Sequence, residues 1–86
     1  MRYVYVVKSG TLNGFTNQYS FTPRHFSSKK SAEFELKQIL EINRAKDVVS
    51  QDTYISSDDT LLKFIDYVGE EGKYKGRVIL EKHEMF

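Results

Sequence analysis

His25 and His83 are the two side chains of this chain suited to moving a proton near neutral pH. A catalytic role needs a nucleophile or an acid held beside the imidazole, and neither histidine has one at a local spacing that would supply it. The metal-binding HExxH spacing, the dinucleotide GxGxxG, the phosphate loop and the GxSxG elbow are all missing. There is no cysteine, which removes thiolate nucleophiles, thiolate metal sites and disulfides together. Asp58-Asp59 and Glu70-Glu71 are paired acids in turn-like stretches. A calcium loop would wrap further oxygens around such a pair, and no such spacing follows either one. The residues therefore predict a non-catalytic protein with no metal and no cofactor.

Two other constellations could bind rather than react. Tyr3 to Phe21 holds five aromatic residues and no carboxylate. Tyr3, Tyr5 and Tyr19 with Arg2, Lys8 and Arg24 could stack the bases of a single-stranded nucleic acid on a basic sheet. A second basic cluster, Lys73, Lys75 and Arg77, surrounds Tyr74. The competing reading is that these rings, with Phe15 and Phe21, are the large side chains from which this end of the core is built. The charge is split in the same sense: residues 1–32 carry +5 and residues 33–86 carry −4, for a total of +1. That polarity can steer a charged partner, or can be two solvated faces of opposite sign.

The second constellation is apolar. On a helical wheel Phe34 falls about 160° from Leu36, among Lys37, Gln38 and Glu41. A phenyl ring on a polar helix face is a natural anchor for a protein partner, aided by Met85 and Phe86 at the end of the chain. The partner is another protein or a second copy of this chain, a symmetric pair being the simplest form. The alternative is that a sheet edge or the chain's own tail covers the ring.

These residues must be held by a small scaffold. The 86 residues make one domain, 1–86. No apolar run reaches the length of a bilayer span and no secretory leader is recognisable, so a cytoplasmic location is expected. Arg2 to Lys8 is apolar on both sides, with Tyr3, Tyr5 and Val7 opposite Val4 and Val6, as in a central strand. Asn13-Gly14 predicts a tight hairpin turn, and Phe15 to Thr22 a second strand ended by Pro23. Ser27 or Ser28 caps a helix from about Lys29 to Arg44, buried along Ala32, Leu36, Ile39, Leu40 and Asn43. Asp47 to Ser56 reads as an irregular strand, and Ser56 to Asp59 as a turn.

The stretch 58–68 fits a strand, with Leu62, Phe64 and Val68 on one face, or a short second helix. Its Phe, Ile, Tyr and Val residues favour the strand. Gly69 to Gly72 then connects to a last strand through Val78 and Leu80. The order is ββαβββ: an α+β fold, a small antiparallel sheet with one helix across a face. The core is expected from Tyr5 and Val7, or Val4 and Val6, with Phe15, Phe21, Leu36, Ile39 and Leu40.

The run "YVYVVKSG", a turn, a second strand and "HFSSKKSAEFELKQIL" resembles small uncharacterised phage and bacterial proteins. These begin with a Tyr-Val strand and a Ser-Gly turn and enter their helix through a Phe-Ser cap. Tyr3, Val4, Tyr5, Ser9, Gly10, Phe26, Ser27, Ala32 and Glu33 carry the resemblance, which spans residues 2–40. Asn13-Gly14 departs from it, standing where those proteins have an acidic residue. The resemblance implies a fold fragment and a phage or mobile-element setting, in the cytoplasm of a bacterial host. It implies no activity. In that setting the expected form is an accessory protein that binds and inhibits a host enzyme, such as a defence or nucleic-acid enzyme.

Overall fold

The computed structural model describes residues 2–52, 61–69 and 72–85. The Ser56–Asp59 turn, Tyr54 and Ile55, the Glu70-Glu71 pair and Phe86 lie outside them. Five strands, β1 (Arg2–Asn13), β2 (Gln18–Phe26), β3 (Lys46–Asp52), β4 (Leu61–Gly69) and β5 (Tyr74–Met85), and one helix, α1 (Lys29–Ile42), follow in the order ββαβββ. The strands form a single antiparallel sheet in the order β2-β1-β5-β4-β3. Of the stretch 58–68 expected as strand or helix, residues 61–68 belong to strand β4, and 58–60 lie outside the described residues.

The first and last strands pair at the centre, and β2 and β3 lie at opposite edges. The chain must cross the sheet to pass from β2 to β3. Four strand spacings are about 19 Å, and the 14 residues of α1 span about 21 Å, so the helix is long enough to make the crossing.

The Ser28 hydroxyl caps α1 by accepting from the Ser31 N–H. At the other end Arg44 takes a left-handed φ of 49°. Its N–H donates to the Glu41 carbonyl and the Ala45 N–H to the Leu40 carbonyl. That pattern closes the helix with its last carbonyls satisfied. The helix therefore ends at Ile42 rather than continuing to Arg44.

Paired residues of an antiparallel sheet share a face. Val7, Leu80, Val78 and Ile65 face α1 and form the core with Ala32, Leu36 and Tyr67. Tyr5, Phe26, Ile39, Leu40 and Leu62 pack around it. Val4 and Val6 point to the other face, away from the helix, as the alternation predicts. A register shift between Leu61 and Lys63 turns Leu62 towards the core, so it does not share a face with Phe64 and Val68.

Four expectations for the first hairpin are corrected. The strands pair as far as Asn13 and Gln18, so the turn is a four-residue loop, 14–17, rather than a two-residue Asn-Gly turn. The Asn13 side chain accepts from the Phe15 and Thr16 N–H groups, and Asn17 supplies the left-handed residue at φ 57°. Phe15 consequently sits at the loop tip, fully exposed (102%), and is no part of the core. Phe21, at 37% exposure, is not core either: β2 is an edge strand and its ring is on the face that α1 does not cover. Pro23 lies within β2, opposite Lys8, instead of ending it. An edge strand has one unpaired side, which tolerates the missing N–H.

Two glycines in β4 and β5 are fixed by tyrosines. Tyr67 pairs with Gly76 and Gly69 pairs with Tyr74. Each ring lies over the glycine across the ladder: a Cβ on Gly76 would meet the Tyr67 ring, and one on Gly69 the Tyr74 ring. The two rings contact each other edge to face at 6.5 Å. Tyr74 donates to the Asn43 side-chain oxygen, and the Asn43 amide donates to the Ile39 carbonyl at 2.7 Å. This chain of bonds ties the β4–β5 hairpin to the end of α1. Burial, then the neighbouring Tyr74 and the hydrogen bond to it, push the Tyr67 phenol up to about 12.

Candidate functional site

Phe34 is 63% exposed. The helical period that buries Ala32 and Leu36 turns it outward. It is one wall of a 360 Å³ groove between α1 and the sheet, lined also by Lys30, Glu33, Leu36, Lys37 and Lys63. Lys63 comes from β4, so the groove is completed only by tertiary packing. Three lysines against one glutamate make its rim positive. None of the three is in an ion pair among the described residues. Of the residues expected beside Phe34, Lys37 lines the groove. Gln38 and Glu41 lie further along the helix and do not. Met85 closes β5 opposite Arg2, and Phe86 lies outside the described residues.

The sheet face opposite α1 is the second surface. Tyr19 and Phe21 stack on β2 with centroids 5.9 Å apart. The Arg77 guanidinium lies 4.2 Å from the Tyr19 ring and 4.4 Å from the Phe64 ring, sandwiched between β2 and β4 side chains. Arg77 also binds Asp66 through both oxygens, at 2.7 and 3.3 Å. The Asp66 bond holds the guanidinium even more firmly in its charged form, against the opposing effect of burial. Gly10 lies between Phe21 and Arg77 in the ladder, so no side chain interrupts the row. A Cβ there would run into the Ser20 carbonyl.

Beside this row Glu81 accepts from Lys8 at 2.9 Å and contacts the His83 Nε2 at 3.1 Å. Its carboxyl stays below the ordinary value: burial raises it, but Lys8 and His83 together outweigh burial. The charges of Lys8, Asp66, Arg77 and Glu81 at the centre of this face are thus compensated within the chain.

The aromatic and basic residues expected to bind nucleic acid are divided between the two faces. Arg2, Lys8 and Tyr19 belong to the open face, while Tyr3, Tyr5 and Arg24 lie on the helix side. Tyr5 packs against the core and Arg24 is paired with Glu35 at 2.8 Å. Tyr3 has the Lys82 ammonium 4.1 Å over its ring. His25 is exposed on edge strand β2, and His83 leans on Glu81. Among the described residues no group of three His, Asp or Glu side chains could hold a metal ion. Among them, too, no helix is long and apolar enough to cross a membrane.

Lys63, Phe64 and Asp66 were not marked as a site by sequence, and Arg77 was marked only as part of the basic cluster around Tyr74. Alternation along β4 and β5 puts Phe64, Asp66 and Arg77 on faces, but only the strand register joins them to Tyr19.

No family model, no curated protein and no solved structure matches this chain, so the resemblance over residues 2–40 rests on those residues alone.

Proposed function

We propose that this chain is a non-catalytic protein-interaction module that grips an acidic segment of another protein in the Phe34 groove. The observation that carries the reading is Phe34 itself, 63% exposed beside Lys30, Lys37 and Lys63. Leaving a phenyl ring in water forgoes about 1.5–3 kcal/mol of available burial. Lysines in no ion pair among the described residues favour a carboxylate-bearing chain with one apolar side chain to lay on the ring. In the phage or mobile-element setting suggested by residues 2–40, such a module acts as an accessory protein that binds and blocks a host enzyme. Single-stranded nucleic acid is the less favoured partner. Its expected residues are divided between two faces, and the rings of Tyr19 and Phe64 are already turned to Arg77.

The test is affinity capture from a bacterial lysate with the parent chain, Phe34→Ala and Lys63→Glu, each with and without nuclease. A protein retained by the parent after nuclease, and lost with both variants, supports the reading. Retention that is equal for all three chains, or that disappears with nuclease, refutes it.

A further inference from the structure

The open face of the sheet has a different occupant from the Phe34 groove. It carries Val4, Val6, Tyr19, Phe21, Phe64 and Ile79 among its side chains. Among the described residues, no helix or strand packs over it: α1 lies on the other side. A single sheet normally buries both apolar faces or makes one of them polar. On this face apolar side chains alternate with Lys8, Asp66, Arg77 and Glu81; Val6 is buried among them, while Phe21 on edge strand β2 and Val49 on edge strand β3 are left exposed with no element over them among the described residues.

We propose that it is the interface of a symmetric homodimer, in which two copies pack sheet against sheet. Three observations select a second copy. First, the charges at the centre of the face are already paired, while Arg2 and Lys75, in no ion pair among the described residues, stand at its two ends. Arg77 is bound to Asp66 and Lys8 to Glu81, so an occupant gains nothing at the centre by bringing counter-charges. It must be close to neutral at that centre, as the centre of the same face in another copy is. A twofold axis then needs only this one patch.

Second, the size is sufficient. The sheet is five strands wide, and at ordinary strand spacing and rise about 24 Å by 20 Å of it is available. Two such faces bury about 1,000 Å² in all, the lower limit for a specific interface.

Third, the edges are blocked as the alternative route to self-association. Pro23 sits in edge strand β2. Edge strand β3 carries a register shift between Lys46 and Val49, with Asp47 at φ 51°. Proline and bulges are devices that keep sheet edges from pairing. Face-to-face packing remains, and Arg77 clamped between two rings presents an already ordered surface to it. Both Phe34 grooves then face outward, so the dimer offers two binding sites to one multivalent partner.

Sedimentation across about 1–100 µM tests this, the range expected of an interface near the lower size limit. The parent should move from the 10.1 kDa chain mass to twice that value as concentration rises. Phe21→Glu and Ile79→Lys should weaken association more than tenfold, while Phe34→Glu should leave it unchanged. Phe21 is partly exposed on an edge strand, so that variant should keep the parent's circular dichroism even if Ile79→Lys does not fold. A parent that stays monomeric throughout overturns the proposal. So does a dimer broken by Phe34→Glu and not by Phe21→Glu. A monomeric parent that binds a labelled oligothymidine, and loses it in Phe21→Glu, gives the face to nucleic acid instead. The groove is untouched by these outcomes, because its variants are read separately.

Discussion

Leu36→Ala is the sharpest test of how the two layers hold together. Leu36 is 5% exposed, and with Ala32 it is one of two buried helix residues. It sits in the same core cluster as Val7, Ile65, Val78 and Leu80. Truncation removes three carbons, worth about 2.4 kcal/mol at about 0.8 kcal/mol per buried methylene. The sheet below cannot follow into the space, because each strand is held by its neighbours. The residual cavity raises the loss to about 3–4 kcal/mol, inside the usual range for leucine truncation. An 86-residue chain has about 4–13 kcal/mol in all, so the loss is a large share. Urea unfolding followed by far-UV circular dichroism, at one protein concentration for every variant, measures it. The thermal midpoint should fall by more than about 12 °C. Leu40→Ala, at a half-buried position, should cost less, and Phe34→Ala less than about 0.5 kcal/mol. A Leu36→Ala protein within about 0.5 kcal/mol of the parent would mean that the helix is not held to the sheet by this stripe.

Two further outcomes follow from the tyrosine–glycine pairs. Gly76→Ala places a Cβ against the Tyr67 ring and 2.6 Å from its Cε2, so the ring must leave its place. The expected cost is about 1–3 kcal/mol. It should shrink in a Tyr67→Val background, and an additive double-mutant cycle would refute the contact. Raising pH tests Tyr67 itself. Its folded value near 12 exceeds the ordinary 10.0, so its contribution is complete below pH 10 and is lost as pH rises through 12. Alkaline unfolding in that window should flatten in Tyr67→Phe, and an unchanged pH profile would count against the buried phenol.

The local parts of this fold could be read along the chain. A serine cap, an apolar stripe every three to four residues and a polar opposite side specify α1 without reference to anything distant. They specify the outward Phe34 as well. Apolar residues on both sides of Arg2–Lys8 mark a strand with neighbours on both sides, and Phe, Ile, Tyr and Val decide β4 in favour of strand.

What depends on pairing between remote residues could not be read. Asn13-Gly14 is competent to make a two-residue turn. The turn actually formed has four residues, because the register that aligns Val7 with Leu80 and Arg24 carries the ladder on to Asn13 and Gln18. Pro23 looks like a stop until β2 is known to be an edge. Phe15 and Phe21 look like core residues until α1 is known to cover the other face. Lys63 joins the Phe34 groove, and Arg77 slides between Tyr19 and Phe64, only once β4 and β5 are placed. The helix follows from contacts three and four residues apart. Each candidate binding surface is assembled from strands far apart in the chain, and the register that unites them is settled by burial of the whole sheet against one helix.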